Sequence, residues 1–420
     1  MSGKPQEKVR AMSRQERIPG YLYAPDGLRA VSLILIVMFH TWQQSWIYYN
    51  LKLDADTYLF NFEVFQRYGY VAIDAFFVLS GFGLFYPIAR DLLGESKFGG
   101  WKNFFVKRAR RICPSYFLML IILLIFPVLS WVTDSISDSS EIAKHFFSHV
   151  FFVHNLGEST QGSMISTAWT LPIEVQFYLI FPLLCIPFRK KPVLTFIAMF
   201  AAGLGIRLTL LCCTDITNMV IQAIPFAYLD VFGCGMISAY FVVYARNKLK
   251  QIDRIKLLMT LMSVACIVAG IAYIFWLGSV DAPGGDVYFR FLYRGLFAAV
   301  IAGFLFTACY SYDFWQIKIW GNRFFVFLSS ISYTVYLWHQ NIYIFLKRVN
   351  IPYTTADPVM NDRHAMEGMT LLCVVSSIII GVIVTKYIEN PIYKYGYKGC
   401  ALKIRDTIKQ GCSHLFQVGR

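Results

Sequence analysis

Runs of roughly 20 apolar residues, each closed by a short polar or charged cluster, recur along this chain. A helix needs about 20 apolar residues to cross a hydrocarbon core about 30 Å thick. The pattern therefore predicts about ten spanning helices, at 28–48, 69–88, 112–131, 168–187, 193–213, 220–244, 257–277, 291–310, 324–346 and 368–387. Helices satisfy their own backbone polar groups in lipid, so the expected fold class is all-α, a polytopic membrane protein. The links at 1–27, 89–111, 188–192, 245–256, 311–323 and 388–420 hold most of the Lys and Arg, whereas those around 132–167, 214–219 and 278–290 hold almost none. The positive-inside rule then places both termini in the cytoplasm. The chain divides into a basic N-terminal tail (1–22), one membrane domain (23–396) and a C-terminal tail (397–420). No small-residue cleavage site follows the first apolar run, which reads as an anchor.

Composition agrees with this picture and narrows it. Of 420 residues, 57% are hydrophobic and only 15% charged, too apolar for an ordinary soluble protein of this length. The net charge of +14 sits in the links, which points to membrane lipid rather than nucleic acid as its partner. Ten cysteines fall in spans or basic links, with no C-x-x-C spacing, so neither a disulfide framework nor a metal is expected. There is no G-x-x-x-x-G-K-[ST] loop for a nucleotide-driven pump and no H-E-x-x-H for a zinc protease. The G-x-G pairs at Gly81–Gly83 and Gly233–Gly235 lie in apolar runs and read as helix packing, as does Ser80.

Ionisable groups inside the spans carry the candidate chemistry, because such groups are costly at membrane depth. Arg29 and His40 lie in DGLRAVSLILIVMFH. Their spacing is about 16 Å of helix rise with little rotation, so both occupy one face, with His40 near mid-membrane. Asp74, Glu174 and His339 are expected with His40 in the outer half. Each has a structural alternative: a hydrogen-bonded core histidine, an Asp74 that balances Arg207 or Arg294, a Glu174 that pairs with a neighbour. Asp230 has the same kind of alternative, balance of a buried arginine. Lys107, Arg108, Arg110 and Arg111, in KNFFVKRARRICPSY, are expected at a helix N-terminus on the cytoplasmic side. They either anchor to anionic lipid or, with Arg29, form a phosphate-binding mouth. A basic mouth and a slender path to an imidazole suit acyl-CoA, and a neutral imidazole can act as general base.

The segments DGLRAVSLILIVMFH, GYVAIDAFFVLSGFGLF, KRARRICPSY, WTLPIEVQFYLIFPLL, ISYTVYLWH and YIENPIY, in this order, resemble the acyltransferase 3 family of integral membrane acyltransferases. The resemblance implies an acyl-CoA donor, usually acetyl-CoA, no metal, and transfer to a hydroxyl of a carbohydrate or cell-surface glycan. The family's Arg-x10-His motif falls on Arg29 and His40, its Arg-x-x-Arg motif on Arg108 and Arg111, and its Trp-Ser-Leu-x-x-Glu motif on Trp169, Thr170, Leu171 and Glu174. Thr170 replaces the usual serine, Pro172 stands inside the motif, and FAYLDVFGCGM matches only loosely. An esterase-like domain carried by some members has no counterpart, so this chain is expected either to finish the transfer alone or to work with separate glycan-assembly proteins. The roles expected are His40, Arg29 and Glu174 in catalysis, Arg108, Arg111 and Lys107 at the donor, and Asp74, Trp169 and His339 at the acceptor, in the cell membrane. Two rivals remain: a proton-coupled transporter or flippase using the same groups, and a non-catalytic scaffold.

Overall fold

The computed structural model describes residues 20–48, 50–52, 58–126, 139–215, 218–248, 252–280, 285–356, 362–397 and 399–400. Most of the two predicted tails, and residues 127–131 of the third predicted span, lie outside them. Among the described residues, ten long helices form the protein: α1 (Ala24–Ser45), α2 (Ala72–Leu92), α3 (Trp101–Ile125), α4 (Thr170–Lys190), α5 (Pro192–Cys213), α6 (Leu229–Lys248), α7 (Asp253–Ser279), α8 (Gly285–Ala308), α9 (Arg323–Arg348) and α10 (Arg363–Val384). A small antiparallel pair, Asn50–Lys52 with Tyr58–Asn61, follows α1. The protein is an all-α, multi-pass membrane protein. Eight of the ten helical segments are long and apolar enough to cross a membrane by themselves. The other two, α3 and α9, are the more polar, α3 because it carries the basic run and α9 because its buried face holds Ser329, Ser332, Thr334, His339 and Asn341.

Local sequence sets the helix ends. Asn322 and Asp362 cap α9 and α10 by accepting hydrogen bonds from the Phe325 and Ala365 amides, at 2.9 and 3.0 Å. Pro192 opens α5, where a missing N–H costs nothing. Two boundaries depart from expectation. Helix α3 starts at Trp101, after Gly100 at φ 83°, so the basic run is helix interior rather than N-terminus. Charge does not break a helix; the left-handed glycine does. Helix α6 starts at Leu229, because Pro225 opens a tight 3-10 turn first.

The centre of the bundle is the contact of α2 with α6, and two glycines make it possible. A Cβ at Gly81 would strike the Phe232 carbonyl, and one at Gly235 the backbone of Val78 and Phe82. This is the small-residue packing by which membrane helices approach closely. We expect Gly235→Val to lose roughly 1–3 kcal/mol or more, since backbone cannot yield as a side chain can. Thermal denaturation in detergent, followed by size-exclusion chromatography, measures it. Two buried ion pairs brace the same region. Arg207 grips both Asp230 oxygens at 2.7 and 2.5 Å, and Arg294 meets Asp74 at 3.1 Å while stacking 4.1 Å from the Tyr228 ring centre.

Candidate functional site

A cavity partly open to bulk is lined by residues of α1, α2, α3, α4 and α9. Arg29, Arg108 and Arg111 line it, with Glu174 as the one carboxylate. Arg108 and Arg111 are three residues apart on α3 and so share a face. The Nε of Arg108 is buried without a hydrogen-bond partner among the described residues. Arg111 lies 3.7 Å from Glu389 and 5.7 Å from the Tyr333 ring centre. Glu389 is itself buried and accepts hydrogen bonds from Ser115 (2.5 Å), Thr334 (2.6 Å) and Thr385 (3.3 Å). Arg29 donates to Ser329 at 3.2 Å and lies 3.5 Å from Asp26, which also accepts from Ser329 and Tyr21. Two of the three guanidinium groups are thus steered by a carboxylate behind them, which fixes position while only partly offsetting charge. Glu174 accepts from Ser80 (2.6 Å) and Tyr178 (2.5 Å), which leaves the lining net cationic.

A second cavity lies further along α1. His40, Asp74, Arg294, Trp169 and Gln340 line it, with Gln43 and Gln222. Ile73 lines both cavities and is the single residue common to the two linings. His40 is 7% exposed, and its Nδ1 lies 2.8 Å from Nε2 of the fully buried His339. The other nitrogen of His339, Nδ1, is 3.0 Å from the Val335 carbonyl oxygen.

The sequence-derived candidates therefore separate into two groups. Arg29, Arg108, Arg111 and Glu174 share the basic cavity, while His40, Asp74 and Trp169 line the second. Lys107 is exposed and lines neither, because one step along α3 from Arg108 is about 100° of rotation. His339 touches His40 and is absent from both linings. Glu174 does not join His40 as its residue count suggested. The turn Ser166–Trp169 is already sunk into the bundle, where Thr167 exchanges hydrogen bonds with Tyr336 (3.1 and 2.7 Å) and Thr170 meets the Tyr336 hydroxyl at 2.9 Å. One turn later Glu174 is level with Ser80, about 9 Å along α2 from Asp74. Ser80 lines the first cavity as well as sitting at a packing position, and Glu389, behind Arg111, is not among the sequence-derived candidates. Its signal was an acid at the end of an apolar run, in YIENPIY.

The sequence profile of a family described as an acyltransferase domain matches residues 22–387. The chain is 25% identical to the peptidoglycan O-acetyltransferase OatA of Listeria monocytogenes over 90% of its own length and 56% of that protein's. It is 23% identical to YrhL of Bacillus subtilis, provisionally named a peptidoglycan O-acetyltransferase, over 91% of this chain and 57% of that one. A protein of Staphylococcus aureus strain COL, provisionally named an O-acetyltransferase, is 23% identical over 90% of this chain and 58% of its own. The chain thus spans little more than half the length of these relatives. No solved structure matches it.

Proposed function

The chain belongs to the family of membrane acyltransferase domains, and from that premise we propose that it moves an acyl group, acetyl in the simplest case, from cytoplasmic acyl-CoA to a hydroxyl of a cell-wall glycan. The observation that carries this reading is the pair of cavities that share Ile73 in their linings, one lined by three arginines and the other by a buried imidazole. Phosphate groups match the forked donors of arginine, so the nucleotide end of the donor rests against Arg108, Arg111 and Arg29. The unpartnered Nε of Arg108 is an open site for such an oxygen. The pantetheine arm then runs past Ser80, Glu174 and Tyr336 toward Ile73, which brings the thioester to the side of His40. Peptidoglycan in the names of two relatives supports a cell-wall glycan as acceptor. In the second cavity Trp169 offers a ring face, and Gln340, Asp74 and Arg294 offer donors and acceptors to sugar hydroxyls. In this reading the chain sits in the cell membrane with both ends in the cytoplasm.

The chemistry follows from the placement. His40 takes the proton of the acceptor hydroxyl as its oxygen attacks the thioester carbonyl. As the tetrahedral adduct collapses the C–S bond breaks, and the coenzyme thiolate takes that proton back from the imidazolium. The products are an ester and free coenzyme A. No net proton is made or used.

The test is label transfer by the purified chain in proteoliposomes, from radiolabelled acetyl-CoA to an added cell-wall oligosaccharide, with release of free thiol. Acceptor relocated across the bilayer without ester formation, the behaviour of a transporter, overturns the reading. Within the same assay, Arg108→Ala and Arg111→Ala are each expected to raise KM for acetyl-CoA roughly 10-fold with kcat little changed, the worth of one charge-assisted hydrogen bond. Arg108→Lys should recover only part, because an ammonium cannot reproduce the fork.

A further inference from the structure

We propose that His339 is the positioning residue of this site, holding His40 in the tautomer whose proton is on Nδ1 so that Nε2 is the nitrogen that takes and returns the acceptor's proton. This deepens the reading of His40 as base and rests on it. The argument follows the hydrogen bonds outward from a group that has no choice. A carbonyl oxygen only accepts, so His339 Nδ1, 3.0 Å from the Val335 oxygen, carries a hydrogen. In a neutral imidazole the lone pair is then on Nε2. His40 Nδ1 stands 2.8 Å from that lone pair and is therefore the donor of the pair. Its own lone pair falls on Nε2. The tautomer of a residue on α1 is in this way dictated by a backbone carbonyl of α9, relayed through one ring.

The surroundings keep the relay from turning over. His339 is fully buried, its ring is tied to its own helix one turn back, and its carbonyl accepts from the Cys373 thiol of α10 at 3.0 Å. The two rings sit 4.9 Å apart, centre to centre, and are tilted by 40°, close to end-on rather than stacked. Among the described residues no carboxylate is hydrogen-bonded to either ring. Asp74, the acid in the same cavity, is held by Arg294 at 3.1 Å. The imidazolium formed when His40 accepts a proton at Nε2 therefore delivers its Nδ1–H to a neutral acceptor. Orientation, rather than charge compensation, is what His339 supplies.

The experiment measures kcat and donor KM for His339→Phe and His339→Gln in proteoliposomes, together with 15N spectra of the wild-type imidazoles. Phenylalanine keeps the ring's bulk and removes the acceptor. We expect kcat to fall about 10²-fold or more, as for other bases left in the wrong tautomer, with donor KM within twofold. Glutamine can donate to Val335 and accept from His40, and should restore at least tenfold over phenylalanine. Wild-type His40 should show its proton on Nδ1. The proposal is overturned if the phenylalanine variant keeps wild-type kcat, if glutamine does no better than phenylalanine, or if wild-type His40 carries its proton on Nε2. Should the phenylalanine variant fail to fold, the glutamine variant and the wild-type spectrum decide. Full activity in a His40→Ala variant would instead remove the underlying reading, whatever the tautomer.

Discussion

His40→Ala is expected to reduce acyl transfer by about 10²–10⁴-fold, the range that a positioned general base contributes, while acetyl-CoA continues to bind. The two halves of this result come from separate places in the molecule. Arg29, Arg108 and Arg111 line a cavity that does not include His40, so removal of the imidazole leaves the proposed phosphate contacts intact. The substitution also strips His339 Nε2 of its partner, and a buried acceptor left alone costs about 1–3 kcal/mol. Some loss of thermal stability is therefore expected, and the comparison belongs at a temperature where both proteins are folded. Single-turnover label transfer measures the first quantity and equilibrium binding of acetyl-CoA the second. A variant that transfers at the wild-type rate excludes His40 from the chemistry. One that no longer binds donor shows that the two cavities act as one.

The second large effect is structural. Asp230→Ala leaves the Arg207 guanidinium, 1% exposed, without its carboxylate. One guanidinium hydrogen bond to the Ala227 carbonyl at 2.7 Å remains. Breaking a buried pair from one side typically costs about 3–5 kcal/mol, because the surviving charge can neither be solvated nor neutralised. The variant should accumulate poorly and aggregate at markedly lower temperature, which fluorescence-detected size-exclusion chromatography follows. Adding Arg207→Met removes the stranded charge and should recover much of the loss, since apolar replacements of buried pairs are often near neutral. Neither residue lines either cavity, so whatever fraction of the double variant folds should retain its activity. If Asp230→Ala is as stable as wild type, the pair does not brace the bundle.

How much of this was legible in the chain depends on the range over which each property is decided. Spans are decided locally, by about 20 residues of apolar sequence, and each of the ten predicted runs overlaps a long helix among the described residues. Boundaries were misplaced where hydropathy and helix-forming tendency disagree. At 101–111 the residues are basic yet form good helix, and only Gly99 and Gly100 mark the true start. Arg29 with His40, and Arg108 with Arg111, could be read as pairs because one helix sets their spacing. Roles that depend on a neighbour far along the chain were not readable. His339 is 299 residues from His40, Glu389 is 274 from Ser115, and Ser80 is 94 from Glu174. Glu174 was misplaced for a related reason: counting residues from an assumed surface overlooks a turn that the bundle has drawn inward.

Ile73 has one more implication. The two cavities share one lining residue, the aliphatic Ile73, so the side chain they have in common is apolar. A lean, uncharged acyl arm can displace a sec-butyl group, whereas a hydrated ion would have to shed its water to follow. In the proposed reading an acyl arm that passes there opens no hydrated path for ions, so the membrane stays electrically insulating during each transfer.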